Sequence, residues 1–152
     1  MVKNNILVVI LVACLGCSTS KQDLISAVEN GDYNKVEKLL KKGENPNILI
    51  DDKNEVSLLL YALGPKGSCD VAKKLVEYGA DVNLPNAYGI TPVMEAASWV
   101  DINCLRFLLK NNANANLVDD KGYTAIMKFG SAGEQNTLSI VKELIKYGAK
   151  YD

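Results

Sequence analysis

Apolar residues along this chain fall at helical spacing in short blocks, and the blocks are divided by polar turns that carry glycine or asparagine. Val36, Leu39 and Leu40 share one face of a helix predicted over Tyr33–Lys42, with Lys35, Glu37, Lys38 and Lys41 outward. The same periodicity predicts helices over Ser57–Leu63, Cys69–Tyr78, Pro92–Trp99, Ile102–Lys110, Ala125–Phe129 and Leu138–Tyr147. Asp23 is placed to cap a helix that runs to Val28, Gly31 breaks it, and Asp32 opens the next. Gly64-Pro65 ends one helix, and Thr91-Pro92 opens another, with proline at the first position where its missing N–H costs nothing. The helices come in pairs, and no pair is large enough to bury an apolar face alone.

The pairs repeat at fixed spacing. Asn114, Asn116, Gly122 and Thr124 each fall 33 residues after Asp81, Asn83, Gly89 and Thr91. Gly43 to Gly79 is 79 − 43 = 36, and Asn112 to Gly148 is 148 − 112 = 36. Four units follow, at about 22–47, 48–83, 84–116 and 117–152, with the extra residues taken up in loops. Each is one helix pair stacked on its neighbours, and Ala27, Ala62, Ala96 and Phe129 are expected to align in successive layers.

The period, the segment Gly79–Asn83 (G-A-D-V-N) and the segment Gly89–Ala97 (G-I-T-P-V-M-E-A-A) resemble ankyrin repeats. That resemblance covers Gln22 to the C-terminus and implies an all-α ankyrin-repeat solenoid of four helix-turn-helix repeats with short turn or hairpin connections. It also implies a non-enzymatic module whose first helices and turn tips line one concave side that grips a protein partner. Carried over residue by residue, the partner-binding set is Tyr61, Tyr88, Glu95, Trp99 and Lys128, with Asn86, Asp119, Asp120 and Tyr123 at the tips. Trp and Tyr are frequent binding hot spots. Two other uses stay open: the Trp99 ring could seal its own repeat with its N–H on Asp101, and Tyr88 could pack on Tyr123. One departure stands out, since the family's helix-opening histidine is replaced by Leu60, Met94 and Met127. Losing that polar cross-link leaves apolar packing to hold the repeats and implies a softer stack.

Composition narrows the chemistry. The 152 residues hold no histidine and carry a net charge of −1, so the commonest general base and metal ligand is missing and nothing attracts nucleic acid. No phosphate loop, metal-spaced cysteine cluster or paired nucleophile and base occurs, so no cofactor, metal or small-molecule substrate is expected. The pairs Asp51-Asp52 and Asp119-Asp120 read as solvated turn tips, too far apart to share an ion. Cys69 occupies the helical slot of Ile102 and Leu138, whereas Cys104 occupies that of Val71 and Ile140. Their slots differ, so two reduced, buried thiols in separate layers are expected.

Residues 1–20 lie outside the repeats. Lys3 followed by the apolar run Ile6–Ala13, too short for a lasting membrane span, reads as a signal peptide. Leu11–Cys14 and Cys14–Cys17 both resemble the lipobox of bacterial lipoproteins, with Cys14 or Cys17 as the acylated thiol and Ser18–Ser20 as tether. The expectation is a lipoprotein of the bacterial cell envelope, held on a membrane without spanning it and facing the periplasm or the outside. The alternative is a soluble periplasmic module that protects a partner enzyme. Lys142, Glu143, Lys146 and Lys150 suggest a charged, solvated end on repeat four and hence a monomer, with stacking of that end against a second copy as the alternative.

Overall fold

The computed structural model describes residues 20–99, 101–128 and 134–150; the leader and both lipobox cysteines lie outside them. Helix α1 covers residues 20–29, and α2 is Tyr33–Lys41. A short antiparallel hairpin, β1 (Leu49–Asp51) and β2 (Val56–Ser57), sets Leu49 opposite Ser57 and leads into α3 (Leu58–Leu63) and α4 (Cys69–Glu77). Helices α5 (Pro92–Ser98) and α6 (Ile102–Lys110) form the third layer. A 3₁₀ turn, Ala125–Met127, and α7 (Glu134–Lys146) form the fourth. Packing runs from each layer to the next: α2 on α4, α4 on α6 and α6 on α7 along one row, with α3, α5 and the 3₁₀ turn along the other.

Local chemistry accounts for the helix starts. Asp32, Ser57, Ser68, Thr91 and Asp101 each accept a hydrogen bond from a first-turn N–H of the helix they precede. The second helices of repeats one, two and four end at glycines with positive φ, Gly43, Gly79 and Gly148, and that of repeat three at Asn112 with φ 67°, a conformation asparagine tolerates better than other side chains. Each helix then lays one apolar stripe on the layers beside it. Leu24, Leu58, Leu75, Met94, Leu105, Leu108 and Leu144 are all fully buried, each contributing about 1.5–3 kcal/mol. Ala27, Ala62 and Ala96 are buried in the same core, where their small size lets the layers approach, and Phe129 lies outside the described residues.

The layers are joined by polar bonds as well as by apolar packing, which corrects the expectation of a stack held by packing alone. Asn47 donates from Nδ2 to the Gly79 carbonyl (3.0 Å) and accepts at Oδ1 from the Asp81 N–H (2.8 Å). Asn83 makes the same two bonds to the Asn112 carbonyl (3.2 Å) and the Asn114 N–H (2.7 Å). Asn116 repeats them on the Gly148 carbonyl (2.9 Å) and the Lys150 N–H (2.8 Å). An asparagine ladder therefore ties every repeat to the next in the turn that follows each second helix.

Four further expectations change. Cys69 and Cys104 form a disulfide, with Cα atoms 5.7 Å apart, within the span such a bond needs. Comparing like slots was the wrong measure, because facing helices of neighbouring repeats are offset. Slot five of one repeat meets slot six of the next in Glu37–Lys74 (3.4 Å) and Arg106–Glu143 (3.1 Å), and slot one meets slot three at the disulfide. Asp23 does not open α1 but lies inside it, 3.4 Å from Lys35 Nζ. The first helix of repeat four shrinks to a 3₁₀ turn, and its Thr124 makes no capping bond. Lastly, Glu143 is no part of a solvated end: it is buried and bonded back to Arg106, whose guanidinium holds its carboxyl below the ordinary value.

Candidate protein-binding groove

Helices α3 and α5 lie side by side with the hairpin at one end, and the hollow between them is an open pocket of about 250 Å³. Val56 of β2, Leu60 and Tyr61 of α3, Pro65 of the following loop and Glu95 of α5 line it, with Lys66 and Asn86 at its margin. α3 ends at Leu63, and Gly64 and Pro65, which line the pocket, carry the chain on beside Glu95. Gly67 makes the bend possible: a Cβ there would collide with the Ala62 carbonyl.

Trp99 is tied to the pocket residue Glu95. Its indole N–H donates to Glu95 Oε1 at 2.8 Å, and its ring remains 53% exposed. The expected alternative partner, Asp101, is occupied in capping α6 through the Asn103 and Cys104 N–H groups. A large ring whose polar atom is satisfied and whose faces stay wet has the character of a contact residue, since little side-chain freedom is left to lose on binding.

The turn tips form a second ledge. The Ala87 N–H donates to the Asn54 carbonyl (2.9 Å) and the Asp120 N–H to the Tyr88 carbonyl (3.1 Å), so successive tips are bonded edge to edge. Gly89, at φ 73°, sits so close to the next tip that a Cβ would lie 2.9 Å from Asp119 Cα. Tyr88 is exposed and its hydroxyl donates to Asn54 Oδ1 at 3.0 Å, so it leans toward repeat two.

Asp52 and Asp120 are exposed as expected of turn tips, but the first aspartate of each pair is engaged in its turn. Asp51 accepts at Oδ1 from the Lys53 and Asn54 N–H groups and at Oδ2 from Asn54 Nδ2, shaping the hairpin turn. Asp119 is buried, accepts from the Lys121 and Tyr123 N–H groups, and pairs with Lys128 Nζ at 2.6 Å. That ammonium, hydrogen-bonded to Asp119, holds the carboxyl below its ordinary value. Lys128 also stands over the Tyr123 ring, 5.7 Å from its centroid.

The structure therefore brings Tyr61, Glu95 and Trp99 together, sets Tyr88 on the ledge beside them, and commits Lys128 to its own repeat. Pro65, Lys66 and Val56 complete the pocket. Gly64-Pro65 signalled them in the sequence, but as a helix stop and not as a wall. Among the described residues, Cys69, Asp101 and Cys104 bring metal-ligating atoms within 4.8 Å of one another, and the two sulfurs are spent on each other.

Comparison with known proteins adds to this geometry. The family model described as "Ankyrin repeats (3 copies)" matches residues 24–119, well over half of the chain. An ankyrin repeat protein of fowlpox virus (strain NVSL), FPV243, is 43% identical over 58 residues, 38% of this chain and 22% of that protein. Ankyrin repeat protein nuc-2 of Neurospora crassa is 34% identical over 101 residues, 66% of this chain and 9% of that protein. Protein phosphatase 1 regulatory subunit 12A of Mus musculus is 31% identical over 87 residues, 57% of this chain and 8% of that protein. The chain spans less than a quarter of the length of each of these relatives.

Proposed function

The chain belongs to the ankyrin-repeat family, and from that premise we propose that it is a membrane-tethered bacterial lipoprotein whose groove captures a protein partner. The observation that carries the binding half is the pocket between α3 and α5, walled by Tyr61 and Glu95, with the half-exposed Trp99 bonded to Glu95. A partner would seat one apolar or aromatic side chain against Leu60, Tyr61 and Pro65 and lie across the Trp99 face. Tyr88 would meet the partner at the ledge, while Lys128 shapes its own repeat through Asp119.

Export is supported by two independent features. Residues 1–20 have the charge and apolar pattern of a leader with Cys14 and Cys17 at its end. The Cys69–Cys104 disulfide belongs to oxidising compartments and is scarce in a reducing cytosol. No helix among the described residues is long and apolar enough to cross a membrane. An acyl anchor would hold the groove in the plane of its partners and raise its effective concentration, so a modest affinity suffices.

Mass spectrometry of the mature N-terminus tests the tether, with acylated Cys14 or Cys17 at the new terminus as the expected result. An unmodified terminus on protein that washes off membranes without detergent rejects the anchor in favour of the soluble module. Cross-linking in cells tests the groove. A partner captured by the parent should be lost or weakened about tenfold or more in Tyr61→Ala and Trp99→Ala. Undiminished capture by both variants, at unchanged melting temperature, rejects this face.

A further inference from the structure

Glu37, Asp119 and Glu143 are carboxylates set into this stack, and each lies within 3.4 Å of a lysine or arginine nitrogen. Asp51 and Asp101 accept from the N–H groups of their own turn or helix start. Glu95 is matched differently. It is half-buried and lines the pocket between α3 and α5, yet among the described residues it pairs with no lysine or arginine. Its side-chain bond is to a neutral donor, the Trp99 indole N–H, which reaches Oε1 at 2.8 Å. That bond fixes the carboxylate without neutralising it.

The charge of the occupant follows from which groups in the pocket can move. Lys66, at the margin, is exposed on a loop, and its long stem lets the ammonium turn to water when the pocket fills. Glu95 has no such freedom, being half-buried and held by Trp99. The fixed charge in the groove is therefore negative, and an acidic side chain would meet it as a like charge. A purely apolar side chain would cover Glu95 and strip its water without replacing it, which is costly for an ionised group. A basic side chain avoids both costs, since its stem is apolar and its tip is a cation.

We infer that the groove recognises an arginine of the partner protein, its stem against Val56, Tyr61 and Pro65 and its guanidinium on Glu95 Oε2. This rests on the groove reading above and narrows its apolar side chain to the stem of a basic one. Arginine fits better than lysine because a guanidinium is more weakly hydrated and gives up less on leaving water for a mainly apolar pocket. Charge-assisted hydrogen bonds of this kind are about twice as strong as neutral ones, so Glu95 sets the preference while the apolar wall adds contact area.

Trp99 is the chain's single tryptophan, so its indole N–H gives one NMR signal at the site itself. The full chain in mild detergent is titrated with blocked peptides of glycine that carry one central arginine, lysine, glutamine, leucine or glutamate. The arginine peptide should move that signal saturably and bind about tenfold or more tighter than the glutamine and leucine peptides. Glu95→Gln keeps an oxygen for the Trp99 N–H and should erase the arginine preference while leaving the leucine peptide as it was. Lys66→Ala should leave the order of the peptides unchanged. Leucine binding as tightly as arginine, arginine binding undiminished in Glu95→Gln, or no shift with any peptide at millimolar concentration overturns the proposal. A preference for glutamate that Lys66→Ala removes overturns it in favour of Lys66 as the anchor. Cross-linking in cells separates this from failure of the groove: a partner lost in Trp99→Ala but kept in Glu95→Gln overturns the arginine and leaves the groove standing.

Discussion

Repeats three and four are written in nearly the same residues and fold differently. Thr91 and Thr124 occupy one slot, as do Met94 and Met127, and Gly89 and Gly122. In repeat three Thr91 accepts from the Met94 N–H, α5 runs for seven residues, and Met94 is sealed between layers. In repeat four Thr124 makes no capping bond, the helix is a three-residue 3₁₀ turn, and Met127 faces water. The lesson concerns where helix stability comes from. A helix of this length does not form from propensity alone, because nucleation costs more than a few hydrogen bonds return. α5 packs between α3 and the 3₁₀ turn, whereas among the described residues that turn has α5 as its neighbour along the row and α7 of its own repeat.

The largest test of this contrast is at the interface between repeats two and three, the one closed by a covalent bond. Closing a loop of 35 residues' separation with Cys69–Cys104 restricts the unfolded chain, and the loop-closure model values this at roughly 4 kcal/mol. Cys69→Ala/Cys104→Ala, or the parent in reductant, should lose most of that in urea unfolding. At the next interface the corresponding slots hold Ile102 and Ile140, and reductant has nothing to act on there. A double variant as stable as the parent would show that the bond restrains nothing.

The second test acts on a single slot. Met94→Ala should cost about 2–5 kcal/mol, the usual range for emptying a packed core position. Met127→Ala, measured on dilute protein, should stay within about 0.5 kcal/mol, as exposed substitutions do. Equal costs would mean that Met127 is packed after all and that the two repeats do not differ as described.

Much of this was legible in the sequence because the repeat is a local object. Ile102–Lys110 was read with its bounds intact, and the remaining helices of repeats one to three shifted by a residue or two at most, apart from α1, which starts before Asp23. What was missed depends on how one layer sits on another. The disulfide escaped because like slots were compared, while facing helices are offset by one or two positions. The asparagine ladder escaped because Asn47, Asn83 and Asn116 look like turn residues until the next layer's carbonyls come within reach. In the groove, Tyr61, Glu95 and Trp99 could be placed on one face from periodicity. That Lys128 is bound to Asp119 required knowing how repeat four's turn folds under it.

That ladder supplies a third comparison. Asn83→Ala and Asn116→Ala each remove two bonds to the following repeat, worth about 1–2 kcal/mol together at the usual net value per bond. The readouts should differ. Asn83 joins repeats packed on both sides, so its loss lowers the whole unfolding transition. Asn116 anchors the end repeat, so its loss should appear first as faster amide exchange in α7, with the transition of the other layers almost unmoved. Identical exchange patterns in the two variants would show that repeat four unfolds only with the rest.

The smallest effect separates the two threonines most cleanly. Valine has the shape of threonine without the hydroxyl, so the substitution leaves packing almost unchanged and reports on the hydrogen bond. Thr91→Val removes a cap and should cost about 1 kcal/mol. The Thr124 hydroxyl oxygen is buried without a hydrogen-bond partner, so it bears the cost of desolvation and gains nothing in return. Thr124→Val should therefore be neutral or stabilising by up to about 1 kcal/mol, a change of opposite sign at the same slot of the next repeat. Thermal melts of the two variants decide it. If both lose stability alike, Thr124 caps its turn in solution and the fourth repeat is a closer copy of the third than the structure makes it.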